Sequence, residues 1–395
     1  MGELVSPPRV HAALERAEEG RGLSREEALS LMETADLPSL LHAAASVRDR
    51  RKGRTVSYSK KVFIPLTHLC RDYCGYCTFR ADPEAGRQPY MTPDDVLAVA
   101  EAGRRAGCKE ALFSLGDQPE RIFPEAREFL RELGFASTLE YLAAMTDLVL
   151  DKTGLLPHSN PGLMGAEDLQ RLRESNVSMG LMLESTNPLG GRGAAHWRAP
   201  DKVPSLRLRT IEEAGRLSIA FTTGILIGIG ETAEDRVDSL FAIRHAHEEY
   251  GHIQEVIVQP FRAKPGTRMA AATEPSLEEL QRTLAVARLV LGGDINLQSP
   301  PNLVAEEYPD LLNAGINDWG GVSPLTIDYI SPEAPWPKVQ ELREVTEEAG
   351  FELRERLAIY PEFATDGRFV RDACRPNIER WTDESGLVRW EEHAW

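Results

Sequence analysis

Apolar and polar positions follow one another along this chain in two rhythms. Between residues 9 and 49 apolar side chains recur at helical spacing: Leu29, Leu31 and Met32, then Leu40, Leu41 and Ala44. Breaks fall at Gly20 to Leu23 and at Pro38, so the pattern predicts helices packed outside the main body. From Val62 onward short apolar runs alternate with longer amphipathic stretches, the signature of βα units around a parallel sheet. The runs lie at 62–67, 110–115, 155–159, 177–184, 219–228, 254–259, 294–298 and 316–322. The clearest helix start has Thr92 as N-cap, Pro93 in the first turn and Asp95 placed for a capping box ahead of Val96, Leu97 and Val99. Further helices are expected near 138–151, 166–174, 204–217, 233–249, 276–291 and 337–349.

Eight strands predict closure into an α/β fold of the (βα)8 TIM-like type, spanning 56–350. A helical extension precedes it over 1–55, and a polar tail with Trp381, Trp390 and Trp395 packs back on it over 351–395. Chemistry in such barrels sits at the C-terminal ends of the strands. Strand two ends in Ser114, Gly116 and Asp117, strand three in His158 and Asn160, strand four in Glu184, strand five in the glycine-rich run with Gly228 and Gly230, and strand six in Gln259. His158 reads equally as a structural histidine, and Gly228 as a plain turn glycine. Asp117 and Glu184 stand among apolar neighbours, where an unpaired carboxylate is costly, so a cationic ligand group is their expected partner.

Composition narrows the class. The 395 residues, 42% of them hydrophobic, suffice for a large core. No apolar run reaches the roughly 18 residues of a membrane span, and Met1 to Val10 lacks the order of a signal peptide, so a cytoplasmic protein without membrane contact is expected. A net charge of -17 disfavours nucleic acid and anionic lipid as partners. Arg48 to Arg54 is the one basic run, read as a solvated turn.

The candidate chemistry begins just after the first run, where Cys70, Cys74 and Cys77 stand in a C-x3-C-x2-C spacing with Tyr76 before the last. Three thiolates on one loop suit three corners of a cubane iron-sulfur cluster and leave one iron open. Other readings are a structural zinc with His68 as fourth ligand, a redox dithiol at Cys74 and Cys77, or small buried residues on one helical face. Pro65, Gly75 and Pro83 argue against that helix. Cys108 reads as core and Cys374 as part of the tail. An open iron beside carboxylates and glycines suggests S-adenosylmethionine, whose amino and carboxylate groups can chelate it.

C-x3-C-x-Y-C after a first strand resembles the radical SAM superfamily. SLGDQPE at 114–120, PHSNPG at 157–162, ESTNP at 184–188, RAPDKVPSLRLRTIEEAG at 198–215, FRAKPGT at 261–267 and GINDWGGVSPLT at 315–326 together resemble the CofG family. That family is one half of 7,8-didemethyl-8-hydroxy-5-deazariboflavin (FO) synthase, and the likeness covers roughly residues 25 to 350. The resemblance implies a 4Fe-4S cluster on Cys70, Cys74 and Cys77, with Tyr76 near the adenine of S-adenosylmethionine. Ser114, Gly116, Asp117, Glu184, Arg207 and Gly228 would contact that cofactor, Asp117 at its amino group and Arg207 at its carboxylate. His158, Asn160, Gln259 and Asp318 are candidate substrate contacts or proton carriers. Pro260 departs from the pattern, since an Asn is expected after Gln259.

The implied activity is that of a lyase in coenzyme F(420) biosynthesis. A 5'-deoxyadenosyl radical takes hydrogen from a 4-hydroxybenzyl adduct of a ribityl-aminouracil, and ring closure with loss of ammonia gives the deazaflavin. A separate CofH-like protein would supply that adduct, and an external donor such as ferredoxin or flavodoxin the electron. Competing functions are another radical SAM activity of the CofH, HydE or biotin-synthase kind, or a non-catalytic zinc or iron-sulfur scaffold. Cys108 and Cys374 are too few for a second cluster.

Overall fold

In the computed structural model, which describes residues 7–390, three helices lead into the sheet: α1 (Pro7–Glu18), α2 (Arg25–Met32) and α3 (Leu37–Lys52). The outermost parts of the expected extension and tail, 1–6 and 391–395, lie outside the described residues. Pro38 does not break a helix; it sits in the first turn of α3, where its missing N–H costs nothing, behind the Asp36 N-cap.

The strands are β1 (Thr55–Thr67), β2 (Glu110–Leu115), β3 (Leu156–Asn160), β4 (Ser178–Gly180), β5 (Phe221–Ile227), β6 (Ile253–Pro260), β7 (Asn296–Gln298), β8 (Asp318–Val322) and β9 (Glu352–Arg356). β1 to β8 pair in parallel in sequence order, and β1 closes the ring by pairing with both β8 and β2. The barrel expected from eight apolar runs is therefore present. The helices that follow the strands are α4 (Pro93–Arg105), α5 (Pro124–Leu133), α6 (Thr138–Thr153), α7 (Ala166–Leu172), α8 (Pro204–Arg216), α9 (Ala233–Tyr250), α10 (Leu277–Leu291), α11 (Val339–Glu348), α12 (Pro361–Ala364) and α13 (Arg375–Trp381). The capping box of α4 forms as read: Asp95 N–H donates to Thr92 Oγ1 at 3.2 Å, and Thr92 N–H to Asp95 Oδ2 at 3.0 Å. Helices α1 to α3 lie over α9 and α10 on the outside of the barrel.

Several strands are shorter than their apolar runs, β4 (Ser178–Gly180) most of all, and two further differences from the sequence reading share one reason. β1 begins at Thr55 rather than near 62, and its early half, Thr55 to Ser59, pairs in parallel with β9. The stretch after 351 is thus more than a tail: it adds a ninth strand and then crosses beneath the barrel. Leu357, Ile359, Tyr360, Phe363 and Trp381 form an apolar layer with Leu156, Val177 and Ala220 at the strands' N-terminal ends. Above that layer the inner face of the sheet is polar. Arg356 is buried between Asp318 (2.7 Å) and Glu255 (3.1 Å), the Tyr360 hydroxyl donates to Glu255, and Lys61 pairs with Glu110 at 2.8 Å. Strand residues such as Ser57, Ser59 and Asp318 therefore alternate toward an enclosed lumen, although the same alternation in a sequence reads as a solvent face.

Candidate functional site

The first β-to-α connection, Leu69 to Arg80, carries the three cysteines and is tied by its backbone to three neighbouring segments. Arg71 N–H donates to Asp117 O (3.1 Å), Tyr73 N–H to Arg198 O (3.0 Å) and Gly75 N–H to Ala195 O (2.7 Å), while Gly75 O accepts from Met269 N–H (3.0 Å). Cys70 Sγ accepts the amides of Asp72 and Asp117 at 3.4 and 3.2 Å. Gly116 is glycine because the loop presses on it: a Cβ there would lie 2.0 Å from Leu69 O and 2.6 Å from Cys70 Cβ. Burial pushes the Cys70 thiol up to about 12 and the Cys74 thiol higher still, as it does the core thiols of Cys108 and Cys374.

All three cysteines line one cavity of about 290 Å3 at the C-terminal mouth of the barrel. His68 does not line it. Its Nδ1–H donates to Phe79 O at 2.9 Å, and its ring packs at a 38° tilt against Phe79, lining a second hollow outside the loop. That orientation removes the fourth ligand of the zinc reading. Among the described residues, the group of three ligating side chains whose donor atoms fall within 4.8 Å of one another is Asp72, Asp117 and Asp201; the cysteines form no such single-ion group.

Those three acids form the electrostatic centre of the site. Asp201 is paired with Arg71, and its N–H donates to Asp72 Oδ1 at 3.1 Å. Asp117 Oδ2 accepts Leu163 N–H at 3.2 Å, but its buried Oδ1 has no partner. Burial, then the charges of Asp201 and Asp72, push the Asp117 carboxyl up to about 8. Gly162, with φ +90°, leaves room for this carboxylate, since a Cβ there would stand 2.1 Å from Oδ2. An unpartnered buried carboxyl oxygen of this kind can accept a hydrogen bond from a ligand's N–H group.

Across the cavity, Lys202 is ion-paired with Glu184, and Arg207 donates from Nε to Met182 O (2.6 Å) and from Nη1 to Asp201 O (3.1 Å). Burial works to raise the Glu184 carboxyl, yet Lys202 and Arg207 outweigh it and hold Glu184 below the usual range. Glu184 sits at φ +66° between bonds to Gly224 and Leu226, an extension of β4 that places its side chain inward. The Tyr76 hydroxyl is 3.2 Å from His196 Nε2; with His196 Nδ1 facing Pro188 O at 3.2 Å, the tautomer that satisfies both has Tyr76 donating. Ser114, Asn160 and Gln259 line the deeper wall with Phe63, Leu112 and Leu226.

Three sequence candidates fall elsewhere. Asp318 opens β8, at the N-terminal end of the barrel, and is consumed by Arg356 and Ser57. His158 lies in β3 below the cavity floor, 2.6 Å from Ser178 Oγ, and burial holds it neutral with its pKa down to about 4. Gly228 turns the chain after β5 at φ +88°, and its N–H donates to Glu231 at 2.8 Å, outside the cavity lining. Conversely, Asp72, Asp201 and Lys202 enter the site without a sequence expectation. Asp72 sits between two of the cysteines, and the other two lie within the stretch at 198–215, so position near those motifs was the available signal.

Comparison with known proteins fits this geometry. A radical SAM superfamily model matches residues 64–243. The chain is 49% identical to FO synthase of Streptomyces coelicolor over 98% of its own length and 47% of that protein's, so it spans about half of such relatives. It is 50% identical to 7,8-didemethyl-8-hydroxy-5-deazariboflavin synthase of Methanopyrus kandleri, covering 85% of this chain and 100% of that one. The chain belongs to this synthase family. Two solved structures share the family's fold: methylornithine synthase PylB (TM-score 0.68, 20% identity, 86% of this chain and 97% of that one) and the FeFe-hydrogenase maturase HydG of Carboxydothermus hydrogenoformans (0.68, 19%, 89% and 80%). In this synthase family member no single helix among the described residues is long and apolar enough to cross a membrane.

Proposed function

We propose that this chain performs the radical SAM step that closes the deazaflavin ring of FO, for coenzyme F(420). The substrate on this reading is 5-amino-5-(4-hydroxybenzyl)-6-(D-ribitylimino)-5,6-dihydrouracil, supplied by a separate CofH-like protein, and ammonia leaves as the ring closes. The observation that carries it is the unpartnered Asp117 Oδ1, buried among three acids on the wall that also presents Cys70, Cys74 and Cys77. A 4Fe-4S cluster with S-adenosylmethionine supplies, when bound, a one-electron cleavage of the sulfonium that yields a hydrogen-abstracting 5'-deoxyadenosyl radical.

The chain's own residues then have separable tasks. Cys70, Cys74 and Cys77 would hold the cluster, on a loop already fixed by backbone bonds and hence organised in advance. Asp117 would receive the cofactor's ammonium, and Arg207 is the candidate for its carboxylate. Glu184, kept ionised by Lys202, and Tyr76, oriented by His196, would bound the nucleoside. Asn160 and Gln259 bring amides beside the apolar Phe63 and Leu112, a wall suited to a substrate with both a phenol ring and cyclic amides. Enclosure by the barrel keeps the reactive centre from water.

The deciding experiment is anaerobic reconstitution with iron and sulfide, followed by incubation with S-adenosylmethionine, dithionite and the 4-hydroxybenzyl adduct. Deazaflavin fluorescence together with 5'-deoxyadenosine is expected. Bound zinc without iron would end the radical reading, and 5'-deoxyadenosine without fluorescence would end the substrate assignment.

A further inference from the structure

We infer that Lys264 is a positioning residue: it fastens the connection between β8 and α11, residues 323–338, across the mouth of the cavity as a lid that lifts to admit substrate. This rests on the reading that one cavity takes a cofactor and a substrate together.

The connection contains turns and bends but no helix or strand, and Asp328, Tyr329, Ile330 and Ser331 within it line the cavity. Connections of this length inside a compact barrel are commonly lids or binding loops. Both ends are held on one residue of β1: Phe63 N–H donates to Thr326 Oγ1 at 3.1 Å, and the Trp336 ring stacks on the Phe63 ring with centres 5.5 Å apart. Residues 327–335 arch between these anchors. The two isoleucines of the arch, Ile327 and Ile330, are about half exposed, so they do not root it in the core. What holds it is largely polar. Asn302 Nδ2 donates to Asp328 Oδ2 (3.0 Å) and Ala334 O (3.1 Å), Thr78 Oγ1 donates to Ile330 O (3.1 Å), and Lys264 Nζ donates to Ile330 O and, at 2.8 Å, to Ser331 Oγ.

Lys264 is buried, and its backbone is set by a turn in which Thr267 donates to Lys264 O from both N–H (3.3 Å) and Oγ1 (2.8 Å). Its ammonium also faces Glu333 at 4.0 Å, so every one of these partners belongs to the arch. A buried ammonium is costly without partners. When the arch lifts, water replaces Ile330 O and Ser331 Oγ around the ammonium and solvates both of them, so the exchange is nearly balanced. An apolar side chain in its place would hold the arch by burial, which water does not replace. Size gives the reason for movement. The cavity of about 290 Å3 stands at the small end of the roughly 300–1,000 Å3 of small-molecule sites, yet on the reading above it takes two molecules. A lid that rises over them and closes again also keeps water from the reacting atoms.

The test uses the reconstituted full-length protein. Hydrogen exchange of peptides covering 327–335 is measured without ligand and with S-adenosylmethionine plus the 4-hydroxybenzyl adduct, and deazaflavin and 5'-deoxyadenosine are measured in parallel. In the unaltered protein the ligand-free arch should exchange faster than β5, and the two ligands should slow it. Lys264→Met should speed ligand-free exchange of the arch about tenfold, the worth of a hydrogen bond from a charged group. It should also raise the KM for the adduct and the ratio of 5'-deoxyadenosine to deazaflavin. Lys264→Arg should restore most of the protection, and Thr78→Val should act in the same direction as Lys264→Met but more weakly. Unchanged exchange of the arch in both Lys264→Met and Thr78→Val would overturn the proposal, as would an equal rise across the whole barrel, which would make Lys264 a general support of the fold. Exchange of the ligand-free protein decides the latch whether or not deazaflavin forms; absence of deazaflavin from the unaltered protein would count against the substrate reading alone.

Discussion

The backbone amide of Asp117 donates to Cys70 Sγ across 3.2 Å, which makes the turn after β2 and the cysteine loop one hydrogen-bonded unit. The residue that brings them together is Gly116, whose missing side chain lets the loop backbone lie against the turn.

Gly116→Ala should therefore separate the two. A methyl group 2.0 Å from Leu69 O cannot be absorbed by rotating a side chain, because the neighbour is backbone. The expected result is a folded barrel by circular dichroism whose iron content after reconstitution falls severalfold. Full iron incorporation would show that the loop adapts.

Asp117→Asn replaces the carboxyl whose buried Oδ1 has no partner in the protein. The affinity for S-adenosylmethionine should drop by roughly 10- to 100-fold, the worth of about 1.5–3 kcal/mol for a hydrogen bond to a charged group. The melting temperature of the ligand-free protein should not fall, since Oδ1 has no partner to lose. Equilibrium binding and thermal melts of the same preparations check both statements.

Arg356→Met leaves Asp318 and Glu255 facing each other in the lower lumen without their cation. Burial lowers the affinity of Arg356 for its proton, but Asp318 and Glu255 more than reverse this, so the cation is retained at any ordinary pH. Removing one partner of a buried pair costs about 3–5 kcal/mol. Denaturant unfolding should show that loss, and adding Asp318→Asn should recover part of it. Had Asp318 served catalysis, Asp318→Asn alone would abolish activity while sparing stability; the opposite pattern is expected.

His158 gives a pH signature. Burial depresses its folded pKa to about 4, against 6.5 in the free side chain. Between those values the unfolded chain takes up a proton that the native protein refuses, so stability falls as pH drops from 6.5 toward 4, by about 1.4 kcal/mol per pH unit. Above 6.5 the contribution is fully present. His158→Gln should flatten the acid limb of a stability-versus-pH curve by about that slope, whatever its effect at neutral pH. An unaltered slope would mean that the ring is protonated in the native state.

The cysteine spacing, the capping box at Thr92 and Asp95, and the eight apolar runs were legible because each depends on neighbours within a few positions along the chain. Short-range periodicity dictates which segments become strands, and strand-to-helix alternation dictates closure; with closure came the expectation that Ser114, Asp117, Asn160, Glu184 and Gln259 share one mouth. These the linear chain determined by itself.

What only the tertiary structure decided is which polar residues face the lumen and at what height. Asp117 and Asp318 are both buried acids, on the two barrel elements that flank β1. One follows the C-terminal end of β2 and faces the cavity; the other opens β8 and is neutralised by Arg356, which arrives from the end of β9. Ser57 and Ser59 alternate with Val56 and Tyr58 as they would on a solvated edge, until the ring closes and makes their side the interior. A period of two records that a strand has two faces. It does not record what lies opposite either of them, because that is supplied by residues on other strands, Asp318 for Ser57 and Glu110 for Ser59.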